Sequence, residues 1–240
     1  MVTRAEPGSQ SRLPLSRERV LRAAIEVADS SGIESLTMRR LAEELGAEAM
    51  SLYYYVASKE DLLDGIADAV VAEINDVVGG IDDVVGGIDG PSAGAGWKTA
   101  VRRRILSARE VLLRHRWAPR VLETRTSASL AVLLYYDGLL RLMRDGGFSY
   151  DLIHHALHAL GSRALGFSQE MFDPSGGASD EQAAAALDGI AGQIPHLVGM
   201  LMEVAHDDPG STLGWCDDQT EFEFGLDLIL DGLDTMRTTA

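Results

Sequence analysis

The stretch Leu36–Leu63, LTMRRLAEELGAEAMSLYYYVASKEDLL, constrains the chain more than any other. Thr37 stands where an N-cap belongs, because its hydroxyl can accept from the free N–H groups of a first helical turn. Met38, Leu41, Ala42 and Leu45 follow at three- and four-residue spacing and form one apolar helical face. Gly46 ends that helix at a position where a residue without a Cβ turns the backbone at little cost. A second helix is predicted over 49–55. Ser58-x-x-Asp61 has the form of a capping box and starts a third helix. Two short helices joined by a few residues that include a glycine form a helix-turn-helix, whose second helix lies in the major groove of DNA.

The flanks extend this pattern. Ser16 opens a preceding helix with Val20, Leu21, Ala24, Ile25 and Ala28 as its apolar stripe, and Gly32 closes it. Lys59 to about Asp76 reads as a longer helix carrying Leu62, Leu63, Ile66, Val70, Val71 and Ile74 on one side. Residues 1–14 are rich in Ser, Pro, Gly and Arg and lack periodicity, so they are expected as a flexible arm. Arg4 and Arg12 suit a minor groove, but a solvated tail accounts for them more simply.

Beyond Asp76 the chain repeats itself. Ile74-Asn75-Asp76-Val77-Val78-Gly79-Gly80 is nearly copied as Ile81-Asp82-Asp83-Val84-Val85-Gly86-Gly87. Paired glycines disfavour a helix here. The aspartates match neither an EF-hand loop nor the Gly-rich calcium roll. A flexible connector is expected over 77–96. The remainder reads as helices over 97–115, 119–123, 127–144, 150–171, 180–187, 195–206 and 219–236, with no competing strand pattern. The predicted class is all-α. Its parts are a three-helix helix-turn-helix DNA-binding domain over 15–62 and a helical ligand-binding and dimerisation domain over 63–240.

Charge sharpens the reading. The chain carries a formal net charge of −16, which argues against broad electrostatic attraction to nucleic acid. DNA binding would then depend on where individual arginines sit. No apolar run approaches the ~20 residues of a membrane helix, and no signal-peptide pattern is present. Cys216 is the only cysteine, which fits a reducing compartment such as the cytoplasm.

Together, Gly32-Ile33-Glu34, Leu36-Thr37-Met38-Arg39, Leu41-Ala42-Glu43-Glu44-Leu45-Gly46, Ser51-Leu52-Tyr53-Tyr54-Tyr55-Val56 and Ser58-Lys59-Glu60-Asp61-Leu62-Leu63 resemble the DNA-binding domain of the tetracycline-repressor (TetR) family. Trp97, Leu112-Leu113-Arg114-His115-Arg116, Gly147-Phe148-Ser149, Leu165-Gly166 and Phe224-Gly225-Leu226-Asp227-Leu228-Ile229 are similar, less strongly, to the effector domain of its tetracycline-repressor subgroup. The resemblance implies a homodimer built on a four-helix bundle, to which each chain gives its 150–171 and 219–236 helices. It also implies an inducer pocket enclosed by the other helices.

The resemblance places DNA contacts at Arg39, Ala49, Met50, Ser51, Tyr53, Tyr54, Tyr55 and Lys59. Arg39 matches a base-contacting arginine, and arginine on guanine O6 and N7 is the commonest specific contact. Ala49 and Met50 cannot form bidentate hydrogen bonds but can pack on thymine methyl groups. The operator should therefore differ from the tetracycline operator. The tyrosines and Lys59 are expected at phosphates.

By the same resemblance, Asn75, Arg104, Leu122, Tyr136, Leu140, His154, His158, Ser162 and Glu170 surround the effector. Leu122 stands where the magnesium–tetracycline site has a histidine, which argues against that complex as effector. His154 and His158 have a spacing that can hold zinc, but no third ligand shares their register. No metal, cofactor or catalytic residue is expected. The chain thus reads as a cytoplasmic, non-enzymatic repressor that leaves a palindromic DNA operator when a small-molecule inducer binds, an antibiotic or apolar metabolite. Two alternatives remain at this point: a ligand-independent regulator set by abundance or a protein partner, and a helical hydrolase using His154, His158 and Glu170.

Overall fold

The structure is a computed structural model that describes residues 14–85, 93–125, 128–166, 191–203 and 218–239. Among these residues there are helices and turns and no strand. They form two compact units, Met1–Ile88 with Ser107–Asp137, and Asp89–Leu106 with Gly138–Ala240. The arm expected over 1–14 lies outside the described residues except for Pro14.

In the first unit, α1 (Arg17–Ser31) begins where the Ser16 side chain accepts from the Arg19 N–H. A short 3-10 turn (Ile33–Ser35) leads to α2 (Met38–Leu45). Thr37 caps α2 by accepting from the Arg40 N–H at 3.2 Å. Gly46 closes it in the left-handed region, φ 62 and ψ 38. The Ala47 amide then reaches back to Ala42 O at 2.9 Å, satisfying a carbonyl that the helix end leaves free.

Helix α3 (Ala49–Leu52) is shorter than the predicted 49–55. Tyr54 and Tyr55 donate to the carbonyls three residues back, at Ser51 and Leu52. That tighter bonding turns the chain out of the α-helix. Helix α4 (Lys59–Val85) corrects the connector, because it runs unbroken through Gly79 and Gly80. The apolar stripe explains why: Val70, Val71, Ile74 and Val78 are all buried at helical spacing. Burying those side chains outweighs a glycine penalty of about 1 kcal/mol each. The division expected at 62/63 therefore falls within one continuous helix. Residues 86–92 of the expected connector lie outside the described residues.

The last four residues of the connector, 93–96, are also helical, since α5 (Ala93–Arg114) starts ahead of the predicted Trp97. Helices α6 (Ala118–Glu123), α7 (Leu130–Asp145), α8 (Tyr150–Gly166), α9 (Pro195–Glu203) and α10 (Asp218–Thr239) follow. The helix predicted over 180–187 lies outside the described residues.

The second unit closes on one apolar cluster. Trp97, Val101 and Ile105 of α5 meet Leu139 and Met143 of α7, Phe148, Ile153, Ala156 and Leu160 around α8, and Phe222, Leu226, Leu230 and Leu233 of α10. Trp97 and Phe148 meet edge-on, ring centres 4.5 Å apart. Gly146 is required there, because a Cβ on it would lie 2.7 Å from Trp97 Cβ. Charged pairs line the α5–α10 contact. Arg102 holds Asp227 at 2.7 Å and Glu223 at 2.6 Å, and Lys98 pairs with Asp231. Asp227 first, then Glu223, push the Arg102 guanidinium above its ordinary range.

Candidate nucleic-acid interface and effector site

The start of α3 and the turn after it project outward from a buried base. Leu52 and Val56 are fully buried, whereas Met50 is 77% and Tyr54 87% exposed. Tyr53 and Lys59 are exposed, and Ala49 and Tyr55 half-buried. Ser51 is exposed and donates its hydroxyl to Glu48 O at 2.6 Å, so its proton is used within the helix. Tyr54 and Tyr55 meet edge-on at 5.1 Å. Arg39 is well exposed, with Nε 3.0 Å from Glu43 Oε1. An exposed pair one helical turn apart is worth about 0.3–0.5 kcal/mol, so a guanine edge can replace Glu43 at low cost.

Two features of this face were not read from the sequence. Glu48 is the N-cap of α3 but makes no side-chain capping bond there, and it is exposed. Its carboxylate stands at the exposed N-terminal end of α3, and carboxylates can accept from cytosine N4. The second is a lock beneath the recognition element. Arg17 donates to Tyr55 O at 2.8 Å and holds Asp61 through both guanidinium ends, at 2.8 and 3.2 Å. Ser58 Oγ accepts from the Asp61 N–H at 3.0 Å, which is half of the predicted capping box. Asp61 Oδ2 accepts from the Ala57 N–H at 2.7 Å, one residue before the expected donor. Arg17 first, then Ala57, hold the Asp61 carboxyl below the usual carboxylate range. The lock fixes both ends of the link that joins Tyr55 to the first turn of α4. Its partners lie 38 and 44 residues from Arg17, so no local pattern reveals it.

The expected effector residues divide between the units. In the first, Asn75 donates Nδ2 to Ala131 O at 2.8 Å, tying α4 to α7. Leu122 is half-buried on α6 and Tyr136 exposed on α7. In the second, Arg104 is only 5% exposed and its guanidinium lies on Gly138, where a Cβ would sit 2.5 Å from Nη2. Leu140 packs against the apolar cluster. His154, His158 and Ser162 lie on the exposed side of α8. The two imidazoles meet edge-on at 4.8 Å, and Ser162 donates back to His158 O at 2.8 Å. Among the described residues, no three His, Cys, Asp or Glu side chains gather as a metal-holding group. Glu170 lies outside the described residues.

Exposed apolar side chains mark a further surface on the second unit. Phe224, Leu228 and Met236 of α10 and Tyr150 of α8 are each more than half exposed, on two helices that pack together. Among the described residues, no helix is long and apolar enough to cross a membrane.

Comparison with known proteins agrees with this geometry. Residues 20–66 match the family described as bacterial regulatory proteins, tetR family, and residues 90–237 match the tetracyclin repressor-like C-terminal domain. The chain is 30% identical over 225 residues to the tetracycline repressor protein class C of Escherichia coli, covering 94% of this chain and 93% of that one. A possible TetR family transcriptional regulator from Streptomyces coelicolor superposes with a TM-score of 0.69 at 30% identity, over 92% of this chain and all of that one. ActR of the same organism, solved in complex with actinorhodin, superposes with a TM-score of 0.67 at 26% identity, over 92% of this chain and 95% of that one. A helix-turn-helix with an outward-facing recognition element thus precedes a tetracycline-repressor-like effector domain, and the chain belongs to the tetR family of bacterial regulatory proteins.

Proposed function

We propose that this protein is a cytoplasmic, homodimeric repressor that occupies a palindromic operator and leaves it when a small molecule binds the helical C-terminal domain. The observation that carries this reading is the exposed start of α3 on a buried base, in a chain whose residues 90–237 match the tetracyclin repressor-like C-terminal domain. The apolar side chains on α8 and α10 support dimerisation, because patches of this kind mark association surfaces. No catalytic role is assigned, in keeping with a family of regulators.

The inducer we propose is an antibiotic or an apolar metabolite; a similar protein, ActR, is solved in complex with actinorhodin. Leu122 supplies hydrocarbon where magnesium–tetracycline would need a metal ligand, so binding does not require magnesium. Allosteric coupling of about 1–3 kcal/mol between effector and operator accounts for release.

The test is selection of a duplex from a random pool, followed by gel shifts at fixed salt with actinorhodin, tetracycline with and without magnesium, and other polycyclic compounds. Release by an apolar compound without magnesium is expected. Arg39→Ala should cost about 1–3 kcal/mol of specific binding and relax selection at one base pair per half-site. Failure to enrich any duplex would sink the DNA-binding assignment. Enrichment with no release by any compound would favour a ligand-independent regulator.

A further inference from the structure

We infer that His115 is a proton-operated clamp between α1 and α4, whose engagement strengthens operator binding. The inference rests on the DNA-binding reading above. His115 directly follows α5, and its side chain is only 12% exposed. Nδ1 lies 2.9 and 3.0 Å from the two carboxylate oxygens of Asp29 on α1. Nε2 lies 3.2 Å from Glu73 Oε2 on α4. One imidazole therefore touches two helices that are 42 and 86 residues away in sequence.

A carboxylate only accepts hydrogen bonds, so a ring nitrogen facing one must be a donor. Neutral imidazole has a single N–H, and only the imidazolium has two. The protonated ring thus bonds both helices. Loss of the proton turns a lone pair toward one carboxylate and converts that contact from attraction to repulsion. The charged groups joined in this cluster are Asp29 from α1, Glu73 from α4 and Arg114 from α5, whose Nη1 holds Glu73 Oε1 at 2.8 Å. Trp117 Nε1 donates to Asp29 Oδ1 at 2.7 Å. With His115 protonated, two cations meet two carboxylates. Without that proton one negative charge is uncompensated in a half-buried site.

The lever arm is α1. Asp29 sits near its C-terminal end, and Arg17 at its N-terminal end holds Tyr55 O and Asp61 beneath the recognition element. Freeing Asp29 from Glu73 lets α1 move on α4 and carries the recognition helix with it. In a dimer the two recognition helices must match major grooves about 34–36 Å apart, so a looser domain binds more weakly. Histidine is the side chain whose charge ordinarily changes between about pH 5 and 8. The other histidines, His154, His155, His158, His196 and His206, belong to the second unit. A His115 variant therefore leaves their contribution in place.

The experiment uses the full chain and a duplex that the wild-type protein selects from a random pool at pH 6. Operator affinity is measured at pH 6, 7 and 8 at constant ionic strength for wild type and His115→Gln. Glutamine presents the same amide donor and carbonyl acceptor at every pH. The wild type should lose about tenfold more affinity than the variant between pH 6 and 8, the range over which a histidine ordinarily changes charge. Asp29→Asn, which leaves Trp117 an acceptor, should flatten the profile in the same way and serves if His115→Gln folds poorly. Parallel profiles for wild type and variants would overturn the clamp while leaving DNA binding intact. Failure to enrich any duplex would instead overturn DNA binding, and with it the clamp's role.

Discussion

In the second unit, Trp97, Met143, Phe148, Phe222 and Leu226 come from three helices and the turn before α8, and they meet with almost no exposed surface. The first unit has a buried core too, but its distant segments also meet through charge. Arg17 joins Asp61, His115 joins Asp29 and Glu73, Arg120 joins Glu34 and Arg125 joins Glu60 and Asp64. Dense apolar packing resists rearrangement, because every displacement opens a void. Ion pairs can exchange partners, lengthen or accept water at modest cost. The second unit has ion pairs too, Arg102 to Asp227 and Glu223 and Lys98 to Asp231, but in the first unit they reach the turn that carries the tyrosines.

Truncating the rigid side should give the largest effect. Phe148 is fully buried against Trp97, with Arg237 near its ring face. Phe148→Ala should destabilise by about 3–5 kcal/mol through lost burial and the remaining cavity. In denaturant titrations between 0.05 and 0.5 M salt, that loss should barely change. A loss that grew or shrank strongly with salt would remove the contrast between the units.

The helix-turn-helix was legible because its signals are local. Ser16, Thr37 and Gly46 act as caps within one turn of the groups they satisfy, and each is found where the pattern put it. Helix α4 was misjudged because Gly79 and Gly80 speak locally against a helix, while the buried stripe through Val78 speaks for one. The His115 cluster and the Arg17 lock were invisible for a different reason. Their partners are 38 to 86 residues apart, and no spacing rule links a histidine to carboxylates on other helices. Arg104, expected beside the effector, is buried with its guanidinium against Gly138, a neighbour that no spacing in the sequence indicates. Glycine at 138 is what admits it, and a glycine does not announce what lies over it.

The first unit's contacts should respond to solvent where Phe148 does not. Asp61→Asn weakens the bonds to Arg17 and to the Ala57 N–H together, an expected loss of about 1–2 kcal/mol at neutral pH. The sign with pH follows from the depressed carboxyl of Asp61. Its stabilisation is present above the unfolded carboxylate range and is lost as pH falls through the lower folded value. The gap in unfolding midpoint between wild type and variant should therefore close in acid and narrow in high salt. A gap constant from pH 7 to pH 2 would assign Asp61 to packing instead of charge.

The smallest expected effect tests where the adjustable unit gives way. Gly79 lies inside α4, is exposed, and has open space where a Cβ would project. Alanine there meets no neighbour and gains helix propensity, so Gly79→Ala should stabilise by about 0.4–1 kcal/mol. If the helix continues through this glycine, its flexibility is a cost kept for motion at the end of α4. The variant should then melt at a higher temperature while requiring more inducer to release operator. Were the segment an irregular linker, the substitution would leave both midpoint and inducer response unchanged, and the adjustable behaviour of the first unit would have to reside in its ion pairs alone.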